Sequence, residues 1–485
     1  MANRLTLFRS AVSRRWLSTT SAMATAGTET STAPAVSEGK RKSSLHYQLS
    51  QLKTRPDSDS GTRVVEILKE WVNSGKFINR FDIIDNVNTF RGRKNYHIAL
   101  QLSEWMESSK IKMNNADRAI RLDLLAKIKG ISTAEKYFGS LQESAKTKKT
   151  YGALLNSYCQ EKILDKALEL FSKIKDLGFI STLNYNNMIS LYLNTNQPEK
   201  VTSLVQEMEE KGIKADLFTY NQLMNSYAAS KDLNAVEEVL QKMKINEVEC
   251  DWFTYGNLAT IYYNAGLQDK ARVVLEKLEK LENLQDHEAF HTLINLYRRM
   301  SDLPGVNRAW ESLKSVFRRP RNTSYLLVLS AFSDLGDLEN LEKCFREWES
   351  GCSLYDVRLC NVVLESYLKR DMIEEANALY ESILSKGGEP NFRTLDLLNN
   401  YHIKSHQVDL ALKYLEMGAH KLVPEKRNSF PTDDTINMFL KYFEENNDRA
   451  GAEKFCDIMK KMEPLDSSVY DSLLSIKTSA QEGEA

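Results

Sequence analysis

Proline and glycine are both scarce, at 9 and 20 of 485 residues. With so few breakers and 27% charged side chains, the chain reads as a long run of helices joined by short turns. No stretch of eighteen apolar residues occurs, so no segment has the character of a membrane-spanning helix. The six cysteines (Cys159, Cys250, Cys344, Cys352, Cys360, Cys456) are scattered with no C-x-x-C pair, which argues against a disulfide framework and a structural zinc site. A reducing compartment is the simple inference. No P-loop, G-x-G-x-x-G or G-x-S-x-G is present, so no enzyme, cofactor or small-molecule substrate is expected.

What is present begins with length. At 485 residues and 42% hydrophobic content the chain exceeds one compact core, so several domains or a repeat array are expected. Residues 1–45 stand apart. Arg4, Arg9, Arg14 and Arg15 lie among Ser, Thr and Ala, no acid precedes Glu29, and Leu5, Phe8, Val12 and Trp16 can form one apolar stripe. That composition predicts an organellar transit peptide and linker, mitochondrial (matrix) before plastid. The segment holds seven basic residues and two acids, so removing its surplus of five from a total of −1 leaves −6 on the remainder. Bulk charge therefore does not support a phosphate-gripping, non-specific nucleic-acid binder.

The strongest signal is an internal period. Tyr151, Tyr185, Tyr220, Tyr255, Phe290, Tyr325, Cys360, Leu395, Ile436 and Tyr470 form one column, at spacings of 34, 35, 35, 35, 35, 35, 35, 41 and 34 residues. Apolar residues recur three positions on, and seven positions on stand Tyr158, Tyr192, Tyr227, Tyr262, Tyr297, Phe332, Tyr367, His402 and Phe443. Offsets of 0, 3 and 7 share one helix face, and all these aromatics are expected in the core. A second helix follows, with small or β-branched residues at offset 16 (Ala167, Val201, Val236, Ala271) and large ones at offsets 20 and 23 (Phe171, Trp310; Met208, Trp348). Each unit is thus a helical hairpin. Gly266 and Gly336 fall where first helices should end, and Pro198 and Pro304 where second helices should begin. Ala99 and Ala134 extend the register back to units starting near Arg80 and Asn115. Residues 46–79 then supply capping helices, residues 80–485 the array, and the six extra residues before Ile436 a loop around His420–Pro431.

The unit seen in Asp216-Leu-Phe-Thr-Tyr-Asn-Gln-Leu-Met-Asn-Ser-Tyr227 and in Met208-Glu-Glu-Lys-Gly-Ile-Lys-Ala-Asp216 resembles the pentatricopeptide repeat (PPR) family, and the segment from Val64 to Met106 resembles plant P-class members. The resemblance implies an all-α fold, a right-handed α-solenoid of about eleven 35-residue hairpins, binding organellar RNA along a concave face at one nucleotide per repeat. It implies base reading by the fifth residue of each unit, just after the column, with the last. These pairs are Gly152/Ser181, Asn186/Asp216, Asn221/Asp251, Gly256/Asp286, His291/Arg321, Leu326/Asp356, Asn361/Asn391, Asp396/Thr432 and Asn437/Asp466. Four of them, Asn186/Asp216, Asn221/Asp251, Asn361/Asn391 and Asn437/Asp466, resemble working readers, the Asn–Asp type favouring uracil.

With five departures from that pattern, the chain is also similar to plant mitochondrial members that are ribosome components, which need no base code. Lys146, Lys148 and Lys149, and Arg318, Arg319 and Arg321, lie at unit edges where phosphate contacts could fall, although such clusters are more often solvated loop charge. The expected function is a non-catalytic surface for mitochondrial RNA or ribonucleoprotein, ribosomal RNA and ribosomal proteins foremost; the alternative is an autonomous sequence-specific transcript-binding factor. A rival from another class is the zinc-hydrolase signature H-E-x-x-H in His287-Glu288-Ala289-Phe290-His291. Phe290 belongs to the repeat column and no third ligand is evident beyond a distant Glu311, so packing is the better account; His402 and His406 read the same way. The C-terminal Gln-Glu-Gly-Glu-Ala485 lacks the Asp-Tyr-Trp ending of the family's editing subclass.

Overall fold

The computed structural model describes residues 45–52, 60–282, 284–352, 354–421 and 430–462. These fall into two compact units divided between Glu249 and Cys250. The first unit opens with α1 (Leu45–Ser50) and α2 (Ser60–Asn73), then has five hairpins: α3 and α4 (Arg80–Gly92, Tyr96–Ser108), α5 and α6 (Asn115–Lys129, Ile131–Ser140), α7 and α8 (Lys148–Gln160, Leu164–Asp176), α9 and α10 (Thr182–Asn194, Glu199–Glu210), α11 and α12 (Leu217–Ala229, Leu233–Ile245). The second has six: α13 and α14 (Trp252–Asn264, Gln268–Glu279), α15 and α16 (His287–Arg299, Leu303–Val316), α17 and α18 (Asn322–Leu335, Leu338–Gly351), α19 and α20 (Val357–Leu368, Ile373–Ser385), α21 and α22 (Phe392–Lys404, Val408–Ala419), α23 and α24 (Asp433–Asn446, Arg449–Met462). No strand occurs among the described residues. Helices begin at Arg80 and Asn115, where units were predicted to start, and α1 and α2 precede them. Of the expected loop around His420–Pro431, residues 422–429 lie outside the described residues, as do residues 1–44 of the expected transit and linker segment 1–45 and Asp466.

Each hairpin closes on the same corner. At offset 11 the backbone enters the left-handed region in every described column, at Lys162, Asn196, Lys231, Gly266, Ser301, Gly336, Asp371, His406 and Asn447. In eight of these hairpins the next amide reaches back to the offset-7 carbonyl, as in Gln197 N–H to Tyr192 O at 2.8 Å and Asp232 N–H to Tyr227 O at 2.9 Å. This bond satisfies a carbonyl that the helix end would leave orphaned. Only two of the nine corners are glycine, which is why glycine spacing alone marked so few of them.

Inside the hairpins the offset-16 column is fully buried, from Ala167 through Val201, Val236 and Ala271 to Ala452, which lets paired helices approach closely. Large side chains fill the gap to the adjoining helix: Phe171 meets Tyr185 edge-on at 5.3 Å and Trp310 meets Tyr325 at 5.1 Å. Of the offset-7 aromatics, Tyr158, Tyr262, Tyr297, Phe332, His402 and Phe443 are buried as expected. Tyr192, Tyr227 and Tyr367 are only half-buried. The Tyr367 hydroxyl donates to Glu342 at 3.1 Å, as that of the buried Tyr158 does to Glu135 at 2.8 Å.

Candidate nucleic-acid interface

The last residue of each unit is the N-cap of the helix that opens the next. Ser181, Asp216, Asp251, Asp286, Asp356, Asn391 and Thr432 all hold that position, and the side chains of all but Ser181 accept a backbone N–H of the first turn. A short polar side chain here contributes about 1 kcal/mol to the helix regardless of any ligand. The column of acidic and amide residues therefore has a local cause before it has a functional one.

The cap nevertheless reaches across to the preceding unit. In the first unit of the fold, Asn186 Nδ2 donates to Asp216 Oδ1 at 3.1 Å and Oδ2 at 3.3 Å. Thr219 Oγ1 donates to Asn186 Oδ1 at 2.8 Å and accepts the Asp216 N–H at 3.2 Å. The second unit repeats the arrangement: Asn361 Nδ2 donates to Asn391 Oδ1 at 3.0 Å and Thr394 Oγ1 donates to Asn361 Oδ1 at 2.8 Å. Both amides are buried, and both threonines fully so. The fold thus brings the expected reading pairs Asn186/Asp216 and Asn361/Asn391 together and holds each of these amides at both ends.

Asn221 donates Nδ2 to its own helix at Leu217 O, 2.8 Å, and Asp251 caps α13 by accepting the Thr254 N–H at 2.9 Å. Asn437 is exposed, and its partner Asp466 lies outside the described residues. Asp396 replaces the amide with a carboxylate that accepts from Thr435 Oγ1 at 2.6 Å. At His291/Arg321 the imidazole Nε2 meets Ser324 Oγ at 2.8 Å while Arg321 is exposed. The hydroxyl three residues past the cap, in Thr219, Thr394, Thr435 and Ser324, was missed by reading from the resemblance. Its trace was in the sequence, as the residue immediately before the repeat column.

Of the basic candidates, Lys148, Lys149, Arg318, Arg319 and Arg321 are exposed, whereas Lys146 is half-buried and pairs with Glu143 at 2.7 Å. His287 stands in the first turn of α15 with its ring against Phe317, centroids 3.5 Å apart. Burial lowers the pKa of both His287 and His291, with Arg321 adding to the effect. Phe290 is in the core and Glu311 pairs with Lys314 at 2.9 Å. Among the described residues no group of three His, Cys, Asp or Glu side chains gathers in metal-binding geometry. His402 stacks on Tyr414 and bonds Gln407 Oε1 at 2.7 Å.

Stacked helical hairpins with a polar seam between successive first helices define an all-α repeat protein. The PPR repeat family model matches residues 180–228, and the PPR repeat model matches 149–179, 218–248 and 358–388. A mitochondrial pentatricopeptide repeat-containing protein of Arabidopsis thaliana is 38% identical over 481 residues, covering 98% of this chain and 93% of the relative. The chain belongs to the pentatricopeptide repeat family. The large ribosomal subunit protein mL101 (rPPR4) of Arabidopsis thaliana is 34% identical over 450 residues, covering 92% and 91% of the two chains. Among solved structures, yeast Rmd9p in complex with a 16-nt target RNA aligns at TM-score 0.44 and 14% identity, over 87% of this chain and 96% of that one.

Proposed function

We propose that the protein is a non-catalytic mitochondrial RNA-binding surface that works in or on the mitochondrial ribosome. Residues 1–45 act as its import segment, 46–79 as a cap and 80–485 as the binding array. The observation that carries RNA binding is the seam itself: amides placed at the fifth position are held at fixed orientation by the next unit's cap, in both units of the fold. An amide held through one N–H and one carbonyl lone pair keeps its second N–H and second lone pair for a base edge. Mitochondrial location and ribosomal association are supported by relatives of those descriptions at 38% and 34% identity along nearly the whole chain. The net charge of −6 outside residues 1–45 fits a partner that is bound through many shallow contacts in an assembly rather than captured alone by its phosphates.

A second reading, an autonomous transcript-binding factor, is favoured by the same preorganised amides. One experiment separates them. Mitochondrial extract is sedimented with and without EDTA, which dissociates ribosomes, using wild type and the Asn186→Ala/Asn221→Ala pair. A ribosomal component shifts with the EDTA-released particles and the amide pair does not release it. An autonomous factor sediments independently of ribosomes, and its purified form loses about 1 to 3 kcal/mol of binding per removed base contact on a uridine-containing RNA.

A further inference from the structure

Residues 80–181, the first three hairpins, hold 18 Lys and Arg against 12 Asp and Glu, a surplus of six, whereas residues 182–249 of the same unit hold 6 against 10. The basic surplus therefore belongs to hairpins that do not read bases. Their fifth positions are Ile84, Ala119 and Gly152, and none carries a hydrogen-bonding side chain. Between their first helices the cations are already matched, with Arg91 at 3.5 Å and Lys127 at 2.7 Å from Asp123.

The unmatched charge gathers on one edge, in the turns that lead from one hairpin to the next. Lys110 and Lys112 stand between α4 and α5, and Lys148 and Lys149 open α7 after the turn from α6. All four are exposed. The carboxylates beside them in sequence are taken by other cations, Glu107 by Arg121 and Glu143 by Lys146. Because α5 and α7 pack side by side, the two lysine pairs lie about one helix spacing apart, on the order of 10 Å.

We propose that this edge docks double-helical RNA through its phosphates, without regard to sequence; this rests on the RNA-binding function above. A single strand led along the fifth positions meets matched charge and no reading side chain in these hairpins. A double helix hides its base edges and turns both rows of phosphates outward, so it asks for cations alone. Two lysine pairs a helix spacing apart meet that demand, at turns a bulky helix reaches without entering between the hairpins.

The test uses the full chain, an RNA duplex of about 20 base pairs with arbitrary sequence, and each of its separated strands. Wild type binds the duplex more tightly than either strand, and a second duplex of unrelated sequence equally well. The variant Lys110→Gln/Lys112→Gln/Lys148→Gln/Lys149→Gln loses roughly tenfold or more in duplex affinity, and its slope of log affinity against log salt falls by about 3 to 4, at roughly 0.9 per phosphate contact. The comparison variant Lys211→Gln/Lys214→Gln/Lys231→Gln/Lys244→Gln removes the same charge from exposed lysines of the same unit and leaves duplex binding close to wild type. Circular dichroism and melting temperature show that both variants are folded. Equal losses in the two variants, or strands bound as tightly as the duplex, overturn the docking edge alone, while a wild type that binds neither form of RNA overturns it together with RNA binding.

Discussion

Asn399 is the polar residue in a column that is otherwise apolar. Four positions past the repeat column stand Leu155, Ile189, Met224, Ala259, Ile294, Leu329 and Leu364, all fully buried, and then Asn399, equally buried with neither amide atom hydrogen-bonded. An unpaired buried amide costs about 1 to 3 kcal/mol, which exceeds the small volume change to leucine. Asn399→Leu is expected to raise the urea midpoint by the equivalent of about 1 to 2 kcal/mol; a lowered midpoint would show that the amide has a partner. His291 makes a second prediction. Burial first, then His287 and Arg321, hold its imidazole below the ordinary value, against Glu288 and Asp286, which pull it up. The unfolded chain therefore binds the proton more readily, so stability rises with pH, and the penalty appears as pH falls through about 6.5. His291→Gln should lose less melting temperature than wild type between about pH 7.5 and 5.5, and parallel losses would count against the assignment.

At the scale of the element, most of the fold was legible because helical periodicity is a property of side-chain type, and type is what a sequence prints. The offset-16 column and most of the offset-0 and offset-7 columns became the core because aromatic and small residues at helical spacing pack against the paired helix. The corners were less legible. A left-handed residue needs φ near +60°, which lysine, serine and aspartate adopt when the surrounding hydrogen bonds impose it, so Lys231 and Asp371 carry no mark in the sequence. Lys231→Gly is predicted to stabilise. Relief of about 1 to 2 kcal/mol at a left-handed residue outweighs the 0.5 to 1 kcal/mol entropy cost of glycine, and Lys231 is exposed. Denaturant unfolding should show a gain of about 0.5 to 1 kcal/mol, and a loss would mean the corner is not strained. Asn186/Asp216 and Asn361/Asn391 were legible as pairs, but Thr219 and Thr394 were not, because a buried threonine just before the repeat column looks like any helix residue until the neighbouring unit is in place.

For the whole molecule, charge decides how RNA is approached. Outside residues 1–45 the net charge of −6 repels a polyanion, so attraction must come from local clusters, of which Arg318, Arg319 and Arg321 are exposed. If all three meet phosphates of single-stranded RNA, changing them to Gln should reduce the slope of log affinity against log salt by about 2, at roughly 0.7 per contact, with uracil preference unchanged. An unaltered slope would return the cluster to ordinary solvated charge. The seam has a consequence for anyone who cuts or rebuilds such a chain. Asn186 belongs to one hairpin, but what steadies it is the first turn of the next, so ending the protein after Met208 would leave the side chain present and its bearing gone. The portable module is then not the hairpin 182–216 but the stretch from Thr182 to Thr219, and an array spliced at hairpin boundaries inherits, at each junction, whatever grip the incoming neighbour's third helical residue supplies.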